Sequence, residues 1–339
     1  MANSVIRINL SEIASTAALG VNLTDADIAA KLEAGANQLS AKGSISVGGV
    51  CTDKSGNIFV SDFARHTVLK IDEGGRVSIL AGIDGTSGHN GTLTNVASGA
   101  KFNTPRGLAC DNSGNVYVAD AGNHQIRMIN PNGRVSHVAG GPALSGFVDG
   151  DGATARFNGP LDVAVDNTGR VWVADTGNHS IRRVINGEVY TFSGDSSGDK
   201  ENVSSAASAA GGNNIYSSPA GLAVDANGDI FVMDTGNDKI KLLKPNGWVY
   251  LFSGSGTDGK VKGTTAFNGR FKELKQCDVD RSGNLYVVDK NAASGSRVIK
   301  FQKTGVQEIV NDLNGSTYDD DVEGVAVSPA GKLFLVVSN

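Results

Sequence analysis

Short apolar runs that end in an acid recur along the chain at near-constant spacing: Ile58-Phe-Val-Ser-Asp62, Val116-Tyr-Val-Ala-Asp120, Val171-Trp-Val-Ala-Asp175, Ile230-Phe-Val-Met-Asp234 and Leu285-Tyr-Val-Val-Asp289. Each run is strand-length, too short for a helix, and leads through a polar turn into a second apolar stretch. The unit Val171–Val184 shows the form: strand, Thr176-Gly-Asn178 turn, strand. A further strand precedes each unit and another follows it, as in Arg134-Val-Ser-His-Val-Ala139. Between the first two strands stands a glycine (Gly56, Gly114, Gly169, Gly228, Gly283, Gly331), three residues after an Asp or Ser. An acid or hydroxyl there can bond forward to the turn backbone while the glycine takes a positive φ at little cost. Four antiparallel strands repeated radially make propeller blades, whose two faces are buried by their neighbours. The pattern therefore predicts an all-β chain, a six-bladed β-propeller of four-stranded antiparallel blades.

The last unit stops at Leu333-Phe-Leu-Val-Val-Ser-Asn339, two strands short. Reading on from Asn339 to Met1 lays Val5 on Ile181 and Ile8 on Val184, which predicts a blade shared between the N- and C-termini that closes the ring and removes an open edge. Glu12-Ile-Ala-Ser15 is the nearest candidate for its fourth strand. Thr24-Asp-Ala-Asp27, an apolar stripe and Gly35 predict a short N-terminal helix near 25–34. The domain reading is thus 1–47, closing strand and helix within the same body, and 48–339, the propeller. The loops between blades are long: Gly82–Thr104, Gly140–Gly159, Gly194–Ser218 and Gly254–Glu273. Loops of that length often carry function, and the Ser/Ala/Gly-rich piece Asn202–Asn214 is expected to be the most mobile. Phe102, Phe157, Tyr216 and Phe271 recur at their ends and are expected to wedge between blades.

Composition narrows the partners. A formal net charge of −5 and a pI near 5.6 leave no broad basic surface, so nucleic acid is not expected. No apolar stretch reaches the roughly 18 residues that span a bilayer, and the N-terminus lacks the form of a secretory signal. The expectation is no membrane insertion and a place in the cytoplasm or on the surface of an assembled particle. Cys51, Cys110 and Cys277 fall in the same strand of different repeats and, being odd in number, are read as buried free thiols. Trp172 and Trp248 sit in strands, where packing is the expected role.

The stretch Ala155-Arg-Phe-Asn-Gly-Pro-Leu-Asp-Val-Ala-Val-Asp-Asn-Thr-Gly-Arg-Val-Trp-Val-Ala-Asp-Thr-Gly-Asn-His-Ser-Ile-Arg182 resembles an NHL repeat. The resemblance covers about 49–339 and is specific in blades two to four. Blade one carries Phe63-Ala-Arg65 in place of the turn, blade five lengthens it over Lys290–Ser296, and blade six is truncated. It implies a six-bladed propeller, a binding platform in most relatives and an enzyme in a minority, where lyases and lactonases hold metal on loops near the axis. No full ligand set of that kind matches here.

His66, His124 and His179 each stand four residues after Asp62, Asp120 and Asp175, and three histidines invite a metal. Equivalent positions on the second strands of a sixfold ring, however, lie too far apart for nitrogens that must approach within about 3.4 Å around zinc; these histidines are read as turn residues and only weak metal candidates. Phe147-Val-Asp-Gly-Asp-Gly152 puts Asp149 and Asp151 in a loop that could start a calcium site but lacks the run of oxygen ligands such loops use. No cofactor is expected, calcium being the one for which the loop offers a starting point. Asp62, Asp120, Asp175, Asp234 and Asp289 with Asn123, Asn178 and Asn237 are read as turn fasteners. His89, Asn90, Phe147 and Asp149, on the interblade loops, are the candidate binding residues. No nucleophile elbow, phosphate loop or Cys-x-x-Cys pair is present. The leading expectation is a non-catalytic structural or protein-docking module, suited to a larger assembly such as a phage particle. The alternatives are a metal-dependent lyase or lactone hydrolase, and a glycan-binding propeller.

Overall fold

The computed structural model describes residues 5–9, 45–89, 93–94, 99–141, 143–200, 203–204, 215–254, 271–291, 295–303, 307–310 and 321–338. Within them the helical pieces are 3₁₀: the single turns Ala121–Asn123, Thr176–Asn178 and Thr235–Asn237, and Gly99. The helix expected near 25–34 and the strand candidate Glu12–Ser15 lie outside the described residues.

Blade 1 comprises Val47–Thr52, Ile58–Asp62, Thr67–Ile71 and Val77–Ala81. Blade 2 comprises Pro105–Cys110, Val116–Asp120, Gln125–Ile129 and Val135–Ala139. Blade 3 comprises Asp162–Val165, Val171–Asp175, Ser180–Ile185 and Glu188–Ser193. Blade 4 comprises Pro219–Val224, Ile230–Asp234, Lys239–Leu243 and Trp248–Ser253. Blade 5 comprises Leu274–Val279, Leu285–Asn291, Gly295–Phe301 and Gln307–Ile309. Three of the long loops return to add a fifth, outermost strand: Leu93–Thr94 in blade 2, Gly150–Asp151 in blade 3 and Val203–Ser204 in blade 4.

The structure thus has five blades of the expected kind, not six. Between blades 5 and 1 lies a three-stranded sheet of Asp321–Val327, Leu333–Ser338 and Val5–Asn9. The two chain ends meet in that sheet, but not in the expected direction. Val5–Asn9 runs parallel to Leu333–Ser338, with Val5 opposite Leu333 and Asn9 opposite Val337. Sequence continuity across the termini suggested an antiparallel hairpin. The two ends are not joined, so no tight turn fixes their relative direction, and a parallel ladder pairs the edge as well.

The first strands of the five blades and Asp321–Val327 touch one another in order around a closed ring. The apolar core follows from this. Among the described residues it is divided into six clusters, each lying between adjacent sheets, such as Ala119, Ile126, Phe157, Val173 and Val184 between blades 2 and 3. Central strands such as Val171–Asp175 are buried at every residue because both faces meet a neighbour. The wedge residues Phe102, Phe157, Tyr216 and Phe271 are at most 1% exposed and sit in these seams.

Hairpin chemistry holds the first turn of each blade. In blade 1 the Asp53 carboxylate accepts from the Ser55 and Asn57 amides at 2.9 Å, and Gly56 takes φ +79°. Asp111, Asp166, Asp225 and Asp280 repeat the arrangement. The free-thiol reading is corrected for two cysteines. Cys51 and Cys110 form a disulfide between the first strands of blades 1 and 2, with Cα atoms 6.0 Å apart, while Cys277 is free and buried. Equivalent strands of adjacent blades pack side by side, which brings equivalent residues to bridging distance. Sequence spacing alone does not reveal this.

Candidate functional site

The second turn of each blade is where the recurrent polar residues meet. In blade 3 the Asp175 carboxylate accepts from the Asn158 amide at 2.7 Å, the Asn178 side chain at 2.8 Å and the Arg182 guanidinium at 2.6 Å. Blade 2 repeats the first two bonds with Asn103 and Asn123 on Asp120, and blade 4 with Ser217 and Asn237 on Asp234. In blade 5, Asp289 accepts from the Lys272 and Glu273 amides and from Arg297. In blade 1, Asp62 accepts from the Ser46 and Arg65 amides. These carboxylates are fully buried. Burial pushes Asp62, Asp175 and Asp234 up, against hydrogen bonds and cations that pull them down, and pushes Asp120 up to about 7.

His66, His124 and His179 take left-handed backbone conformations, with φ of 59°, 56° and 54°. Their Nδ1 atoms accept from the amides of Thr104 (3.1 Å), Gly159 (2.9 Å) and Ser218 (3.0 Å), each at the entrance to the next blade. The histidines are therefore struts between successive blades, with Nδ1 the accepting nitrogen of each ring. They are not brought together, and among the described residues no cluster of His, Cys, Asp or Glu is arranged to hold a metal.

Sequence reasoning missed the buried cations: Arg127, Arg182 and Lys241, each seven residues after the turn Asp and 0% exposed, and Arg297 in the lengthened blade 5. A charged residue at one fixed place in an otherwise buried third strand was the available signal. Each of the first three lies over its wedge aromatic: Arg127 5.6 Å from Phe102, Arg182 5.2 Å from Phe157 and Lys241 5.6 Å from Tyr216.

Asp149, proposed from sequence as a loop ligand, bonds Arg182 at 2.6 Å and accepts from the Thr191 amide and hydroxyl. Asp151 instead caps its own turn through the Ala153 amide. The two acids thus serve separate partners. Phe147 stacks on the outer side of Arg182, 4.8 Å away, and is 42% exposed beside Leu144 (57%) and Val148 (48%). His89 is half-buried beside blade 2, and Asn90 lies outside the described residues. Trp172 packs in the core and donates to Asp166, whereas Trp248 departs from expectation: it lies on the outer strand of blade 4, 40% exposed and stacked with Tyr250.

Toward the axis, Asp162, Gln276 and Asp278 on the first strands bond across the ring. Asp162 accepts from the Leu222 amide, Asp278 from Val327, and Gln276 links Val50 to Val325. Burial pushes Asp162 up to about 8 and Asp278 to about 6. At the start of these strands Lys275 pairs with Glu323, which also takes Lys290 from the end of the second strand of blade 5, while Arg106 lies 3.9 Å over the Phe63 ring.

An NHL repeat model matches residues 102–127 and 157–184, each running from the wedge aromatic to the buried cation or just past it. The chain is 42% identical over 81 residues to NHL repeat-containing protein 2 of Gallus gallus, covering 24% of this chain and 11% of that protein. It is 32% identical over 158 residues to the Homo sapiens protein of that name, covering 42% and 21%. It thus spans a minor part of these relatives. Among solved structures, a gluconolactonase from Xanthomonas campestris superposes with a TM-score of 0.56 at 18% identity, covering 86% of this chain and 82% of that one. A virginiamycin B lyase from Staphylococcus aureus does so with 0.51 at 12%, covering 86% and 78%. At such identities the superpositions show the fold. The matched repeats, the same turn geometry carried into blade 4 and the relatives that bear it make this chain an NHL-repeat β-propeller.

Proposed function

We propose that the chain is a docking propeller that holds a protein partner on the loop between blades 2 and 3. The observation that carries this is the exposed row Leu144, Phe147 and Val148, of which the last two are fixed by Arg182. Phe147 rests on a guanidinium that is itself tied to Asp149 and Asp175, and the Val148 carbonyl accepts from Arg182 at 2.9 Å. Apolar side chains presented on a rigid base lose little conformational freedom on binding, which favours association. The recurrent polar residues are meanwhile engaged within and between blades, as struts and buried pairs. Such a module fits a component of a larger assembly, and a chain of a nidogen–laminin complex shares the fold with a TM-score of 0.51. The test is native purification. Wild type should carry a stoichiometric partner that the Leu144→Asp/Val148→Asp double variant loses while keeping its melting temperature. A monomeric wild type, or equal retention by the variant, overturns the reading.

A second reading is a lactone hydrolase or lyase working at the axial mouth. It is favoured by the grouping of Lys275, Lys290 and Glu323 there, and by the fold shared with a gluconolactonase. A lactone panel with metal analysis tests it. Turnover abolished by Glu323→Gln supports it, and a folded protein without bound metal or turnover excludes it.

A further inference from the structure

The fifth strands differ in what they set opposite the fourth. In blade 2, Leu93 and Thr94 stand opposite Ser136 and Val135, and in blade 4, Val203 and Ser204 stand opposite Val249 and Trp248, with no charge on either side. In blade 3, Gly150 stands opposite Val189 and Asp151 opposite Glu188. Like charges directly across a ladder repel and lower stability. Among the described residues neither carboxylate has a cation as partner. Asp151 accepts from the Ala153 amide of its own turn at 2.8 Å, is exposed, and faces a half-buried Glu188.

The positive groups around this pair are committed elsewhere. Arg182 is buried between Asp175 and Asp149. Arg156 donates from Nη1 to the carbonyls of Thr154 and Ala155, at 2.7 and 3.0 Å. Arg183 lies 5.6 Å from the centre of the Tyr190 ring. His137, on which the Asp151 charge acts, donates from Nε2 to the Gly140 carbonyl at 2.6 Å, and burial pushes its pKa down. The acid pair continues the segment that carries the exposed row Leu144, Phe147 and Val148. Three residues on from Val148, Asp151 lies at most about 11 Å away along the backbone. Asp149, between them, is 47% exposed and adds a further acid, shared with Arg182. The segment thus presents an apolar row with acid at one end, the arrangement of an interface core and its charged rim.

We propose that the partner held on this row is a protein segment in which apolar side chains are flanked by a Lys or Arg, the apolar ones covering Leu144, Phe147 and Val148 and the cation seated between Asp151 and Glu188. The proposal rests on the docking reading and names the chemistry of what docks. A cation between the two carboxylates removes their repulsion, so the feature that weakens the free blade strengthens the complex. An acidic segment would add a third like charge and is rejected. Ion pairs this exposed are individually weak; the row supplies the buried area, and the acids select and orient.

The experiment is selection of a random dodecapeptide display library on the full chain, with counter-selection on the Leu144→Asp/Val148→Asp variant. Peptides kept by wild type and lost by that variant should share apolar residues with a Lys or Arg within about four positions of them. The strongest of these, synthesised and followed by fluorescence anisotropy, should bind Asp151→Asn/Glu188→Gln about five- to tenfold more weakly than wild type. Sodium chloride should weaken its binding to wild type and leave its binding to the charge variant nearly unchanged. Asn at 151 keeps an acceptor for the Ala153 amide, and with the repulsion gone the charge variant should melt at or above the wild-type temperature. A consensus without a cation, or equal affinity for the charge variant, overturns the proposal and leaves the docking reading standing. A charge variant that melts several degrees lower makes the acids structural and overturns it as well. Recovery of no peptide that depends on Leu144 and Val148 overturns both.

Discussion

Blades 2 and 3 carry nearly the same turn, yet their buried cations live differently. Arg182 of blade 3 is held by two carboxylates and two carbonyls, whereas among the described residues Arg127 of blade 2 has one acid, Asp120 at 3.7 Å, and the Phe102 ring. The guanidinium is set by the repeat, in the third strand. What satisfies it is set by the loop, which the repeat does not control. The same contrast shows in the acids: Asp120 is pushed up to about 7, with a distant cation as its weakest help, whereas Arg182 is the largest influence opposing burial at Asp175. A repeat array thus fixes where charges are buried, and the loops decide how well each of them is paired.

The sharpest way to break this comparison is to delete the two cations. Arg182→Met leaves Asp175 and Asp149 without their partner and is expected to cost about 3–5 kcal/mol in denaturant unfolding. Arg127→Met removes a poorly satisfied charge and leaves an acid that neutralises near pH 7, so its cost should be under about 1.5 kcal/mol. Equal losses would erase the distinction between the blades. Asp149→Ala comes next, with an expected cost of about 1–3 kcal/mol from the charged hydrogen bonds lost by Arg182 and Thr191. Acetate should restore part of it.

The buried acids give a third contrast, read from stability against pH. Asp120, Asp162 and Asp278 have folded pKa values raised to about 7, 8 and 6, so the native state holds protons there that the unfolded state has released. Stability should therefore fall as pH rises from about 4 to 8, with a limiting slope of about 1.4 kcal/mol per pH unit for each group while it titrates. Asp162→Asn should flatten the profile above about pH 7, where Asp120 no longer contributes, and a profile flat from 4 to 8 in wild type would contradict these assignments. The smallest effect is expected at the struts. His124→Asn keeps a side chain that tolerates the left-handed backbone but loses the acceptor for Gly159, at about 1 kcal/mol. His179→Asn should cost the same, since the strut is common to both blades.

Much of this was legible along the chain. Strand, turn glycine and turn acid recur at fixed spacing because each blade solves the same local problem, so the hairpins at Asp53, Asp111 and Asp166 and the wedges at Phe102 and Phe157 could be read directly. The histidines could be placed in the turn, but the acceptor role of Nδ1 toward the next blade needed the ring. Arg127, Arg182 and Lys241 were overlooked because a charge in a strand reads as solvent-facing, and only burial by the adjacent blade makes it otherwise. The direction of Val5–Asn9, the Cys51–Cys110 bridge and the exposure of Trp248 all depend on segments distant in sequence.

By itself the sequence determined the blade: a local unit whose turns, apolar runs and buried acid are specified within some forty to sixty residues. The tertiary structure alone decided how many complete blades the ring holds, how its ends meet and which buried charges find partners. Those outcomes belong to contacts between units, where hydrogen bonds and burial depend on what a neighbouring blade or loop brings to within a few ångströms, and no periodicity within one unit encodes that.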